Sequence, residues 1–208
     1  MYLTGVTKMS QQTDFINTIA PHAQKSQKKT GIPASVTIAQ AILESGWGRS
    51  SLTKEANNFF GIKAGRSWKG KVYSGTTWEV FNGKTQKFYG TGFVYVNKEA
   101  AIAKGVHKET LFRYYDSLED CLTDKSKVLY NGLYNDALSW RSNSREFLKR
   151  MAPVYATDPE YGNKLNSIID RYKLTQYDVH PKDWRLDTSI VPDPWYSYWY
   201  DCYRQYLV

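Results

Sequence analysis

The sequence predicts an α+β fold that is mainly helical and carries a small β hairpin. Apolar residues recur with helical spacing in residues 11–45 and again in residues 117–175. Between these regions, residues 66–97 are rich in Gly, Thr, Tyr and Val, and they contain the turn sequence Asn82-Gly83. A chain of 208 residues can bury a substantial core, so one main domain is expected.

Residues 11–30 predict an amphipathic helix that ends at Gly31. The second helix, residues 33–45, ends near Gly46 and Gly48 and is apolar almost all round, as is typical of a buried helix. Its polar side chains form a stripe only about 60° wide. That stripe consists of Thr37, Gln40 and Glu44. A charged side chain there must be paired, solvated or protonated. Glu44 is therefore either a buried glutamate satisfied by hydrogen bonds or a carboxylic acid that faces a cleft.

Three helices are predicted after the hairpin. Ser117 fits a capping box and begins a helix over residues 117–131, and a short helix follows that ends before Pro153. The last helix begins at Thr157 or Asp158. Its inner face consists of Leu165, Ile168, Ile169 and Tyr172.

The helical spacing of apolar residues ends at about residue 176. Residues 176–208 hold three Pro and nine Tyr or Trp, an aromatic density that argues against disorder. We expect this tail to pack on the domain surface; stacking on glycan, or contact with another subunit or a virion, are the alternatives. The predicted division is an N-terminal extension (1–10), the main domain (11–175) and the aromatic tail (176–208).

Composition limits the classes of partner. The 28 Lys and Arg against 20 Asp and Glu give a net charge of +8, which predicts attraction to polyanions. The basic residues are spread along the chain without a nucleic-acid-binding motif, so an anionic cell-wall polymer is favoured over nucleic acid. No apolar run approaches the roughly 20 residues that span a bilayer.

The sequence lacks the residue patterns that several kinds of chemistry require. Three histidines without HExxH or CxxC motifs predict no metal site, and no cofactor is expected. The sequence has no GxSxG motif, so serine hydrolase chemistry is not expected. Cys121 and Cys202 are expected to be free buried thiols, with a single bridge to the tail as the alternative.

Carboxylates and aromatics remain, and these suit glycoside hydrolysis. That reaction needs a protonated acid beside the leaving oxygen and a group that stabilises or captures the developing cation. Glu44 lies in the last turn of its helix, where the helix dipole disfavours negative charge. Desolvation by neighbouring aromatics such as Trp47 and Phe60 acts in the same direction, towards a raised pKa. A general acid requires that direction.

Five motifs carry a family resemblance. They are "QAILESGWGRSSL", "NNFFGIK", "TTWEVFNGK", "FRYYDS" and "YATDPEYGNKL", in this order along the chain. Over about residues 11–175 the sequence resembles glycoside hydrolase family 73, the N-acetylglucosaminidases that cleave bacterial peptidoglycan. The resemblance implies a lysozyme-like fold, with a helical body and a β lobe that forms one wall of the cleft.

The resemblance also implies site residues. Glu44 corresponds to the general acid, Glu79 to a second carboxylate in the hairpin, and Tyr155 to a tyrosine near the scissile sugar. The expected substrate-binding residues are Trp47, Phe60, Tyr114, Tyr115 and Tyr161. Glu79 has an alternative interpretation as an outward strand residue that pairs with Lys71 or Lys84. Core packing is the alternative for the aromatics.

The sequence thus predicts a peptidoglycan endo-β-N-acetylglucosaminidase. A muramidase or lytic transglycosylase is the nearest alternative, although the "GLMQ"-like segment of many transglycosylases is absent. A non-catalytic wall-binding module is the other, and the presence of Glu44, Glu79 and Tyr155 argues against it. The start "MYLTGVTKMSQQ" lacks a secretion signal, so we expect action on the bacterial wall from a phage virion or as a host-released lysin.

Overall fold

A computed structural model describes residues 10–193 and 195. Its α-helices are α1 (Gln11–Thr30), α2 (Ala34–Ser45), α3 (Ser51–Ala56), α4 (Lys98–Ala103), α5 (Leu118–Leu129), α6 (Asn135–Ser139), α7 (Ser144–Tyr155) and α8 (Tyr161–Arg171). Its strands are β1 (Val72–Ser74), β2 (Thr77–Phe81), β3 (Lys84–Phe88), β4 (Val94–Tyr95) and β5 (Leu111–Arg113). Short 3₁₀ helices span Lys108–Thr110, Leu174–Tyr177 and Pro181–Asp183. The mainly helical α+β prediction is confirmed.

The first two helices form as predicted. Ser10 caps α1 by accepting from the Thr13 N–H at 3.2 Å, and Gly31 ends it with a φ of +73°. Every residue of α2 from Ala34 to Ile42 is buried, as expected for a helix without a wide polar face. α2 contacts α1, α7, α8 and the 3₁₀ helix Leu174–Tyr177, so it lies at the centre of the helical core.

The β region contains the predicted hairpin and a second sheet. β2 and β3 pair antiparallel, and Asn82 and Gly83 turn between them with φ values of +49° and +74°. Both positive values suit a two-residue hairpin turn. β1 lies in the middle of a three-stranded antiparallel sheet of order β4-β1-β5. β5 comes from the "FRYYDS" region, so the β lobe extends beyond the predicted segment.

Two helix boundaries differ from the prediction. α7 runs through Pro153 to Tyr155, so the expected stop before the proline is wrong. Pro153 lies in the last turn, where it removes only the bond to the carbonyl of Lys149, and both residues are exposed to water. α8 begins at Tyr161 rather than at Thr157 or Asp158. The Asp158 carboxylate accepts from the Glu160 N–H at 2.9 Å and so forms a turn ahead of the helix.

The described part of the predicted tail packs on the helical body. Asp178 accepts from the Ser35 N–H and hydroxyl, both at 2.8 Å, and so caps the start of α2. Trp184 is fully buried and clusters with Leu186 and Val191. Packing on the domain surface is therefore the arrangement of residues 176–193.

The remainder of the tail lies outside the described residues, and so does Cys202. Its predicted contacts with glycan, another subunit or a virion stay predictions. Cys121 is buried, and whether it pairs with Cys202 also stays a prediction. Among the helices that the structure describes, none is long and apolar enough to cross a membrane.

Candidate active site

Glu44 lies in the last turn of α2 and is held by a tyrosine from α8. The Tyr161 hydroxyl donates to Glu44 Oε1 at 2.7 Å, and Gln40 Nε2 donates to the Tyr161 hydroxyl at 3.1 Å. Gln40 and Glu44 share one face of α2 because they are four residues apart. Tyr161 therefore connects Gln40 and Glu44, two of the three polar residues of the stripe, in one hydrogen-bonded chain.

The surroundings of Glu44 favour its neutral form. The side chain is open to solvent on one side, while protein atoms surround it on the other. This partial burial raises the pKa of the Glu44 carboxyl above its ordinary value, and the Tyr161 hydrogen bond and the Lys125 charge oppose it with smaller effects. Glu44 thus keeps its proton to a higher pH than an ordinary glutamate.

Tyr155 completes this cluster from the end of α7. Its ring stacks on that of Tyr161, with centroids 5.5 Å apart and planes 17° apart. Burial, with a further contribution from the Glu44 charge, raises the pKa of the Tyr155 hydroxyl, so it stays protonated. The structure therefore brings together Glu44, Tyr155 and Tyr161, which come from three different helices.

Glu79 has the opposite electrostatic environment. Lys63 Nζ lies 2.6 Å from Glu79 Oε1, and the Thr77 hydroxyl donates to the same oxygen at 2.8 Å. The Lys63 hydrogen bond, supported by Thr77, holds the pKa of the Glu79 carboxyl below its ordinary value. The predicted pairing with Lys71 or Lys84 is wrong, because Lys63 is the partner.

Lys63 is itself held from several sides. Its Nζ donates to the Glu109 carbonyl at 2.5 Å and lies 4.0 Å from the centroid of the Phe112 ring. Lys71 instead pairs with Asp116 at 2.6 Å. Lys63 therefore ties the hairpin strand β2 to β5 and to the 3₁₀ helix Lys108–Thr110. Lys63 belongs to the "NNFFGIK" motif, but the sequence did not predict its pairing with Glu79.

Two of the predicted binding aromatics are core residues by their contacts. Tyr115 is buried, and its hydroxyl donates to Asp124 at 2.6 Å. Phe60 is buried in the helical core, with Lys125 Nζ 5.6 Å from its ring centroid. A role in binding substrate stays a prediction for both.

Trp47 and Tyr114 are more accessible than the other predicted binding aromatics. Trp47 is half-buried and packs edge-on against Phe15 and Tyr172, with centroid distances of 5.9 and 5.0 Å. Tyr114 is half-buried, and Lys71 Nζ lies 5.3 Å from its ring centroid. Their contact with glycan stays a prediction.

Sequence reasoning also missed Lys125 of α5, which is 1% exposed. Desolvation lowers the pKa of its ammonium to about 7, and the Glu44 charge acts in the opposite direction. Its position could have indicated this burial, because helical spacing places Lys125 on the same face as Cys121 and Leu129. A lysine at an inward position is rare in soluble helices.

A surface groove of about 700 Å³ lies between α7 and α8, and its lining includes Arg145, Lys149 and Asn166. Neither Glu44 nor Glu79 lines it, so this groove is separate from the carboxylates. Among the residues that the structure describes, no cluster of three or more His, Cys, Asp or Glu could hold a metal ion.

The comparisons with known proteins identify the family. Residues 20–174 match the Glucosaminidase family, described as mannosyl-glycoprotein endo-beta-N-acetylglucosaminidase. The chain belongs to this family. The glucosaminidase match contains Glu44, Glu79 and Tyr155, and it confirms the family resemblance of the five motifs.

The relatives of this glucosaminidase domain include an autolysin and an exo-glucosaminidase. An autolysin of Enterococcus faecalis is 38% identical over 176 residues, which are 80% of this chain and 21% of the relative. Exo-glucosaminidase LytG of Bacillus subtilis is 32% identical over 201 residues, which are 90% of this chain and 64% of the relative. The chain thus spans from about a fifth to less than two thirds of these relatives.

A solved structure supports the same fold. The catalytic domain of the autolysin Auto from Listeria monocytogenes is 32% identical and superposes with a TM-score of 0.64. The match covers 84% of this chain and 92% of that domain. The lysozyme-like glucosaminidase architecture expected from the resemblance is confirmed.

Proposed function

We propose that the chain cleaves the β-1,4 bond between N-acetylglucosamine and N-acetylmuramic acid in peptidoglycan, with Glu44 as general acid. One observation carries the assignment of roles: the surroundings of two carboxyls push their pKa values apart. Burial raises the pKa of Glu44, and Lys63 lowers that of Glu79. In glycosidases, such a difference in pKa keeps one carboxyl protonated as the acid while the other stays ionised.

Each carboxyl then has a defined task. Protonated Glu44 gives its proton to the leaving oxygen as the glycosidic bond breaks. Ionised Glu79 stabilises the positive charge that develops on the sugar or activates the attacking water. The stacked Tyr155 lies beside the acid cluster, where it contacts the scissile sugar. Product anomer analysis by NMR separates inversion from retention, including attack by the 2-acetamido oxygen of the substrate.

The test of the acid is Glu44→Gln, assayed on purified peptidoglycan. Gln keeps the shape of the side chain but cannot donate the carboxyl proton, so turnover should fall by at least about 10². Glu55→Gln is the matched control, since Glu55 is exposed on α3, and it should keep wild-type turnover. Near-normal hydrolysis by Glu44→Gln would remove Glu44 from the mechanism.

Mass spectrometry of the digested wall identifies the bond. A reducing N-acetylglucosamine end supports the proposal. A reducing N-acetylmuramic acid end indicates a muramidase, and an anhydro sugar indicates a lytic transglycosylase. No release of glycan by the folded protein indicates a wall-binding module.

The net charge of +8 supports a second element of the proposal, adsorption to anionic wall polymers. Electrostatic attraction is screened over about 8 Å at physiological ionic strength and about 3 Å at 1 M salt. Raising the salt should therefore release the protein from walls in a pelleting assay, while hydrolysis of short soluble glycans changes less. Pelleting that persists at 1 M salt would exclude charge as the anchor. We propose the bacterial wall as the place of action, reached from a virion or as a released lysin.

A further inference from the structure

A buried lysine with no role in the proposed mechanism lies close enough to Glu44 for their charges to interact. Lys125 is 1% exposed, and its stem lies on the inner face of α5. Within the described part of the chain, its Nζ has no hydrogen-bond partner. An unpaired interior ammonium destabilises a fold. A lysine at this position therefore points to a function other than stability.

The groups around Lys125 leave Glu44 as its electrostatic partner. The charges that act on Lys125 come from Glu44 on α2 and Cys121 on α5. Burial raises the pKa of the Cys121 thiol to about 12, so this group is neutral at neutral pH. The Phe60 ring covers another side and carries no charge.

The other titratable groups nearby already have partners. Asp124 of α5 pairs with Arg113 and accepts from Tyr115. Tyr161 bonds to Glu44, and Tyr155 stacks on Tyr161. Burial, as the main cause, raises the pKa values of these tyrosine hydroxyls, so they stay neutral. Tyr134, which lies just before α6, has a pKa that burial raises in the same way.

We propose that Lys125 is a positioning residue for the Glu44 acid, whose buried ammonium compensates the carboxylate that forms when Glu44 gives up its proton. This inference rests on the proposed role of Glu44. In that step the glycosidic C–O bond breaks, its electron pair stays on the leaving oxygen, and the Glu44 proton moves to that oxygen. The carboxylate left behind is attracted by the ammonium, more strongly in the interior than in water.

The pKa values of Lys125 and Glu44 shift in the directions that such an interaction requires. Burial lowers the pKa of Lys125 to about 7, and the Glu44 charge raises it against that effect. The Lys125 charge in turn lowers the pKa of Glu44. Each charge therefore affects the pKa of the other group. Because the coupling is reciprocal, each group can be used to detect the other.

The test compares Lys125→Met with Lys127→Met. Methionine replaces the buried ammonium by an apolar group of similar length, and Lys127 is an exposed lysine on the same helix. The carboxyl titration of Glu44 is followed by ¹³C NMR, and its signal is assigned by its absence in Glu44→Gln. Lys125→Met should raise the pKa of Glu44, whereas Lys127→Met should leave it unchanged.

Activity provides the second readout. In Lys125→Met the alkaline limb of the kcat/KM profile should move to higher pH. Because the developing carboxylate is no longer compensated, kcat at the optimum should fall by about tenfold. KM should stay the same, because the buried Lys125 cannot touch substrate. An unchanged Glu44 pKa in Lys125→Met would overturn the proposal.

A reciprocal measurement needs no change at Lys125. In Glu44→Gln the lysine loses its negative neighbour, so the midpoint of its ¹³Cε titration should be lower than in the wild type. An unchanged Lys125 titration would overturn the proposal even if Lys125→Met fails to fold. Failure of the proposed function looks different: Glu44→Gln would then keep its activity, whatever NMR shows for the coupling.

Discussion

Lys63→Met removes the ammonium that pairs with Glu79, together with its hydrogen bond to the Glu109 carbonyl and its contact with the Phe112 ring. The side chains of Lys63 and Glu79 are 36% and 27% exposed, so the pair is only partly shielded from water. A pair of this kind contributes about 0.2–1 kcal/mol to the free energy of unfolding. For a chain of this size, 1 kcal/mol corresponds to roughly 2–4 °C in Tm. The loss of the ion pair by itself should therefore lower the Tm by no more than about 4 °C.

The effect on activity should depend on pH. Since Lys63 is the main cause of the lowered Glu79 pKa, its removal should raise that pKa. Ionised Glu79 is required in the proposed mechanism, so the acid limb of the kcat/KM profile should move to higher pH. At neutral pH Glu79 remains ionised in both proteins, so their turnover should be similar.

The stability of the two proteins should follow the same titration. The pKa of Glu79 is lower in the folded than in the unfolded state, so the pair stabilises the wild type above the ordinary value of 4.5. That contribution is lost as the pH falls through the folded pKa. The Tm difference between wild type and Lys63→Met should therefore disappear in acid.

Lys71→Met is the matched control for both measurements. Lys71 lies in the same lobe and also forms a single ion pair, with Asp116 at 2.6 Å. Its removal should leave the acid limb in place. Acid limbs that coincide for Lys63→Met and wild type would refute the reasoning. A uniform loss of turnover at every pH would also refute it, since that result assigns Lys63 to holding the hairpin.

Two further predictions concern stability. Trp184 is fully buried, so Trp184→Ala should cost about 3–5 kcal/mol in unfolding free energy, measured by urea denaturation. Trp78→Ala is the control: Trp78 is 62% exposed, so its loss should cost less than about 1 kcal/mol, and equal losses would contradict the structural role of the tail. Glu44 has a raised folded pKa, so ionising it destabilises the fold as pH rises above the ordinary 4.5. Glu44→Gln should hence have a higher Tm than wild type at pH 7 and an equal Tm in acid, and equal values at both pHs would contradict the desolvation of Glu44.

Local patterns were sufficient for several elements. The helix before Gly31, the buried helix that carries Glu44 and the Asn82-Gly83 hairpin all lie where the sequence predicts them. These signals depend on residues that are close in the sequence, so they depend little on the tertiary packing. The end of α7 was mispredicted because Pro153 falls in the last turn, where its missing N–H costs little.

The site was only partly predictable. Glu44 was identified from its place in a polar stripe, and the family motifs implied Glu79, Tyr155 and Tyr161. The hydrogen bond from Tyr161 to Glu44 joins residues 117 positions apart, and no local pattern indicates it. The same holds for Asp178, which caps α2 from 143 positions away.

The sequence by itself determined the fold class and the family, and it predicted Glu44 and Glu79 as the two carboxylates of the site. The tertiary structure alone decided their electrostatic environments: burial around Glu44, Lys63 beside Glu79, and the buried Lys125 in the core. The physical reason lies in the range of the forces. Helix periods and turns depend on neighbours within a few residues, whereas a pKa depends on every charge and every layer of protein that folding brings within a few ångströms.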